Sequence, residues 1–196
     1  MVARMTAAQY KALLASRQAG KGAPAAAPKK KPATKKPAAD PGPPSVPEPP
    51  ALEPLLAGLS GVGRTWSILM PYAEKMLDSN QRLHWRPEHA IRQQLRTDAV
   101  QMARVHRLPR LERAAIFYVL HPRSIRRSRD PGNWAPTAKA YVDGLVTPNP
   151  HQPRERHLLP DDDHEHLLGP FPAMGAPVST GYARMTLVIT ELITPA

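Results

Sequence analysis

The sequence predicts a small α/β or α+β domain, a mixed sheet with two main helices, carried behind a disordered, basic arm rich in Pro, Ala and Lys. Three observations carry that expectation. Eleven of the 25 prolines lie between Pro24 and Pro54, interleaved with alanines and with the lysines at 29–31 and 35–36. Such a stretch buries too little apolar surface to offset its ordering entropy. Beyond it, apolar segments alternate between strand and helix periodicity in the order strand, helix, strand, helix, then one or two strands. No internal repeat is visible, and 196 residues suit one domain with an appendage.

The expected organisation is a short N-terminal helix in residues 1–20, a disordered linker over 21–54, and a folded domain over 60–196. In the first part, Met5–Ser16 places Ala8, Tyr10, Leu13 and Leu14 on one stripe behind Thr6 as an N-cap. A helix that short is marginal alone, so it docks or frays. Residues 1–50 hold nine lysines and arginines against two acids, and 51–196 hold eighteen against fourteen. Most of the basic excess therefore belongs to the arm, which either raises affinity for polyanions by counterion release or serves as a solubilising tether.

The folded part is expected to begin near Leu52–Leu59 or at Arg64. Thr65–Leu69 is a short run of strand formers and reads as a first strand. A polar loop, Asn80–Pro87, follows, and Pro87 is expected to open a helix at its favoured first position, running to about His106. Ile91, Leu95, Ala99, Met102 and Ala103 step down one face of that helix, and Arg92, Arg96 and Arg104 mark the opposite, solvated face. Arg113–His121 is almost continuously apolar and reads as a central strand. From Pro136 the pattern turns helical, with Ala138, Tyr141, Val142 and Leu145 facing the core. Residues 146–158 form a Pro-rich loop, Leu167–Leu168 start a short strand, and a loose stretch through Gly181 leads to a last strand over Ala183–Ile193.

Several chemistries drop out early. There is no cysteine, which removes disulfides, thiolate nucleophiles and cysteine zinc sites. No apolar run is long enough to span a membrane, and the start of the chain lacks the apolar segment of a secretion signal. An intracellular protein, neither secreted nor membrane-bound, is the expectation.

The functional signal is the stretch Arg123–Asn133, with arginines at 123, 126, 127 and 129 beside Asp130, followed by Lys139 and Asp143 and then by the acidic turn Asp161–Asp163. Hard carboxylate oxygens suit magnesium, and arginine forks suit phosphate. Together they point to hydrolysis of a nucleic-acid backbone, for which a metal-bound hydroxide and charge stabilisation are needed. Each element has a plainer alternative. The acidic turn can be a solvated turn, Lys139 and Asp143 an ordinary i, i+4 pair, and the arginines a solvated loop. His164 and His166 beside carboxylates admit zinc, although no third compelling ligand stands near them in the sequence. Trp85 either stacks on a base or sugar or anchors the core at the edge of the sheet.

Taken as an ordered set, Asn80–Trp85, Arg127–Asn133, Pro136–Leu145 and Leu158–Pro170 resemble the RusA family of Holliday junction resolvases, in particular those of bacteriophages of actinobacteria. The resemblance spans about residues 65–194. It implies a RusA-like homodimer in the cytoplasm of a bacterial host that binds branched, four-way DNA and nicks two strands symmetrically with magnesium, for which manganese can substitute. It makes Asp130, Asp162 and Lys139 catalytic, with Asp130 and Asp162 as metal ligands and Asp161 and Asp143 as further candidates. Arg82, His84, Arg123, Arg126, Arg127 and Arg129 become the DNA-binding set. One position departs from the family pattern. Gly132 stands where the family has a second carboxylate, which Asp161, Asp163 or Asn133 would have to replace. The alternative implied by that gap is a junction-binding protein impaired in catalysis.

Overall fold

The computed structural model describes residues 42–71, 76–123, 129–146 and 158–193. They lie in one compact unit, Asp40–Ala196. The elements in order are α1 (Glu53–Leu56), β1 (Val62–Leu69), α2 (Trp85–Val105), β2 (Ala114–His121), a 3-10 turn (Pro131–Trp134), α3 (Ala135–Val146), β3 (Leu167–Met174) and β4 (Arg184–Leu192). The four strands form one mixed sheet in the order β1-β4-β2-β3, with β2 and β3 parallel and the other pairs antiparallel. This is the expected α+β fold. Among the described residues, no helix is long and apolar enough to cross a membrane.

The sheet is covered unequally. On one face, Ile116 and Tyr118 of β2 and Met185, Leu187 and Ile189 of β4 are sealed by Leu95 and Ala99 of α2 and by Ala138, Tyr141, Val142 and Leu145 of α3. The stripes read in the two long helices both turn inward here. On the other face, Ala115, Phe117, Val119 and Val188 are packed by Leu52, Leu55, Leu56 and Leu59 around the single turn of α1. β2 is buried along its whole length, as a central strand should be.

Four expectations are corrected. α2 starts at Trp85 with His84 as N-cap, so Pro87 is its third residue rather than its first. The reason is that a proline anywhere in the first turn forfeits only an N–H that has no helical partner. Phe171–Met174, expected to be loose, continues β3 to eight residues. Pro170 and Pro172 are tolerated because β3 pairs with β2 alone and is an edge strand. The linker, expected to reach residue 54, is shorter within the described residues. Ser45 Oγ donates to the Thr180 carbonyl at 2.9 Å, Thr180 Oγ1 donates to the Pro43 carbonyl at 2.7 Å, and Pro47 is buried. Arg96, expected to be solvated, is instead tied to the second long helix. The expected N-terminal helix, the expected linker up to residue 41 and most of the expected Pro-rich loop, residues 147–157, fall outside the described residues.

Candidate functional site

Three elements bring the predicted residues to the helix-covered side of the sheet. The first is α3, whose inward residues Thr137, Ala138, Ala140, Tyr141 and Val142 are buried, which leaves Lys139 on the outer surface. The second is the 3-10 turn ahead of α3. Asp130 caps it, its Oδ1 accepting the Gly132 N–H at 2.8 Å, and Asn133 N–H donates back to the Asp130 carbonyl. The turn packs on α3, β3 and β2. The third is the acidic turn ahead of β3. Leu158 and Leu159 are buried just before it, the Leu158 N–H donates to Leu145 of α3 and its carbonyl accepts from Leu111. These contacts set the acidic turn beside α3.

Lys139 is the centre of the cluster. Its ammonium pairs with Asp143 at 2.7 Å, one helical turn on, and with Asp162 from the acidic turn. Asp143 is the most enclosed member, its side chain 14% exposed against 51% for Lys139 and 32% for Asp162. Its second oxygen accepts from Arg96 Nη2 of α2 at 2.7 Å. Burial alone would depress the Lys139 ammonium, but the hydrogen bonds and charges of Asp143 and Asp162 outweigh it and raise its pKa above the ordinary lysine value. Burial alone would likewise raise Asp143, and Lys139 and Arg96 reverse this and hold it below the usual carboxylate range. Lys139 and Asp143 therefore hold each other in their charged forms at neutral pH.

The three acids of the turn have different employments. Asp161 Oδ1 accepts the Asp162 N–H at 2.7 Å, and Asp163 Oδ1 accepts the N–H groups of Glu165 and His166. Asp163 also bonds His166 Nδ1 at 2.8 Å, and that bond, with the others, holds it below the usual carboxylate range. Both Asp161 and Asp163 thus shape the turn, while Asp162 reaches Lys139. This also bears on the zinc reading, since the His166 ring is engaged inside its own turn. Among the described residues, no group of three or more His, Asp or Glu side chains converges as a metal cage.

The magnesium assignment can be tested on the donors themselves. Asp130 and Asp162 carry hard oxygens at the surface, and magnesium is commonly held by one or two carboxylates with its waters kept. Each carries the donor type the ion takes, and Lys139 occupies only Oδ2 of Asp162. Asp143, a further candidate, does not fit the ion, because both its oxygens already accept from cations. Its place is to hold Lys139. At Gly132, a Cβ would lie 3.0 Å from Asp130 Oδ1, so the carboxylate and any side chain at 132 must adjust to each other.

The predicted DNA-binding residues divide. Arg129 and Arg123 are exposed at the two sides of the basic loop, and Arg82 and His84 are exposed ahead of α2. Arg126 and Arg127 lie outside the described residues. Trp85 is settled in favour of the surface, being 65% exposed rather than a core anchor. The residue that sequence reasoning missed is Arg96, whose partner is 47 positions away. The only local sign was Gly144. A Cβ there would meet the Arg96 carbonyl oxygen at 2.4 Å, so glycine is what lets α3 approach the α2 backbone and set Asp143 against Arg96.

Comparison with known proteins finds no matching family model and no curated protein similar to this chain.

Proposed function

We propose that this protein is a magnesium-dependent, structure-selective endodeoxyribonuclease that resolves Holliday junctions or other branched DNA by paired symmetric nicks, acting as a homodimer in phage recombination, repair or debranching. The observation that carries the reading is the meeting of Lys139 with Asp162, 23 positions apart, beside the turn that Asp130 caps. A solvated acidic turn and an ordinary i, i+4 pair do not require each other. Their union in one cluster at the surface, in a chain that also exposes Arg123 and Arg129, supports phosphate chemistry.

The residues divide the work as follows. Asp130 and Asp162 would hold the metal, which when bound supplies a hydroxide at neutral pH and offsets charge on the phosphoryl oxygens. Lys139 has three N–H donors, of which two serve Asp143 and Asp162. The remaining one is available to an oxygen of the scissile phosphate, where a fixed ammonium stabilises the charge that develops. Asp143, clamped by Arg96, keeps that ammonium in place and charged. Arg123 and Arg129 grip neighbouring phosphates.

Gly132 favours a second reading, a junction-binding protein that does not cut, because the family pattern places a carboxylate there. The deciding experiment is incubation of the purified protein with a labelled four-way junction in magnesium or in EDTA. Paired nicks that disappear in EDTA are expected. Tight binding with no nicking in magnesium or manganese would establish the second reading instead.

A further inference from the structure

Trp85 presents an exposed indole in a setting that the nicking chemistry does not use. It is the first residue of α2, fixed there because His84, the N-cap, accepts the Arg86 N–H on Nδ1 at 3.4 Å. The Arg86 guanidinium lies 5.3 Å from the centre of the indole, and the His84 ring is tilted against it at 5.9 Å. A cation near an indole face is attracted to it. Leu83 beside it is 39% exposed.

Two arginines close to the indole in the chain lie at the surface. Arg82, His84, Arg86 and His89 are all exposed, and the acid among them, Glu88, has its Oε1 taken by Arg92 at 2.8 Å. Next to this corner opens a cleft of about 200 Å³, walled by Ser79, Gln81, Leu83, Glu88, Arg92 and Pro136. The loop that forms it is bolted to the candidate active site. Ser79 N–H donates to the Asn133 carbonyl at 2.8 Å, and Thr137 Oγ1 both accepts from Leu77 N–H at 2.7 Å and donates to the Leu77 carbonyl. Thus the indole stands at a fixed offset from the turn of Asp130 and the helix of Lys139.

An exposed aromatic ring beside a cation is suited to bases that have left a duplex, because every base offers a face to stack on and the flanking phosphates answer the cation. We propose that Trp85 is a stacking platform for an unpaired DNA base, with Arg82 and Arg86 receiving the adjoining phosphates, so that the protein senses the single-stranded character of a branch point. The inference deepens the proposed function, since it names the DNA feature that the nuclease would recognise.

The test is equilibrium binding of the full-length protein in EDTA, where no cleavage is possible, to oligodeoxythymidylate and to an abasic strand of equal length. The wild type is expected to prefer the strand with bases and to show quenched tryptophan fluorescence when it binds. Trp85→Ala should weaken binding to oligodeoxythymidylate roughly five- to 150-fold, the range that base stacking supplies, and leave the abasic strand unchanged. Trp85→Phe should keep most of the preference while losing most of the quench. An unchanged preference in Trp85→Ala, or an equal loss on both strands, overturns the proposal, the latter because it reduces the corner to a patch of charge or to a damaged fold. The two readings fail separately. Base preference with no magnesium-dependent nicking leaves the platform standing and removes the nuclease, whereas nicking without base preference does the reverse.

Discussion

The Lys139 cluster and the Asp130 turn are neighbours in the chain, yet they are held in opposite ways. Around Lys139 charges answer one another, with two carboxylates on the ammonium and Arg96 on the far oxygen of the more enclosed one. Asp130 is exposed, and among the described residues its carboxylate serves only the cap of its own short turn. The difference teaches which part of the site is built and which is poised. Asp143, with a cation on each oxygen, gains little from a further ion, whereas Lys139 takes only Oδ2 of Asp162. A carboxylate at the surface with one neutral N–H donor retains its attraction for a cation.

Substitutions that exchange these conditions give four expectations. Asp130→Asn should have the largest effect, a loss of nicking of about a thousandfold in an assay on four-way junctions, since several kcal/mol of metal-dependent stabilisation depend on a charged ligand. Its melting temperature should scarcely move, because an amide oxygen still caps Gly132. A large fall in melting temperature would mean that the turn, not a metal, needs the charge.

Lys139→Met should reduce nicking about a hundredfold, the usual scale for removing one preorganised donor to a developing charge. It should also free Asp162 while leaving Asp143 with Arg96. Full activity in this variant would show that the cluster is a structural pair and nothing more.

Asp143→Asn should act mainly on stability, by about 1–2 kcal/mol, between the values for exposed and buried pairs, with a smaller loss of nicking. Denaturant unfolding across pH provides the sharper measurement. Asp143 has a folded pKa below its unfolded value, so the unfolded chain takes up the proton first as acid is added. Its contribution is full above the unfolded pKa of about 3.9 and is lost as pH falls through the depressed folded value. That acid-side loss should be smaller in the variant, and an identical pH profile would remove Asp143 from the network.

Gly132→Asp should have the smallest effect, a several-fold drop in the magnesium concentration needed for half-maximal nicking. Two carboxylates this close repel until a cation joins them, and each must shift a few tenths of an ångström, given the 3.0 Å approach to Asp130 Oδ1. Gly132→Ala meets the same approach without the charge and should show no gain. Equal behaviour of the two variants would mean that the position is not a metal position.

Much of this was legible locally. β2 declared itself by eight apolar-rich residues that are all buried, and α3 by the spacing of Ala138, Tyr141, Val142 and Leu145. Lys139 and Asp143 follow from helical spacing alone. What misled was local preference where the surroundings relax the usual rule. The prolines at 170 and 172 read as loop, but an edge strand needs no donor on its outer side. Pro87 read as the first helical residue, though the whole first turn can accept it. For Trp85 no local pattern distinguishes a platform from an anchor, since the answer depends on which elements cover it.

By itself the sequence determined the periodicities, and through them the element types, the inward faces and the residues available for chemistry, because side-chain period is a property of the backbone. It also determined the absence of cysteine chemistry and the basic excess of the first 50 residues. Only the tertiary structure decided which available charges meet. Arg96 finds Asp143 because Gly144 lets two helices close, and Asp162, not Asp161 or Asp163, finds Lys139 because Leu158 and Leu159 bury and aim the acidic turn. Contacts at such separations arise from packing the core, which depends on the total of apolar burial and not on any one motif.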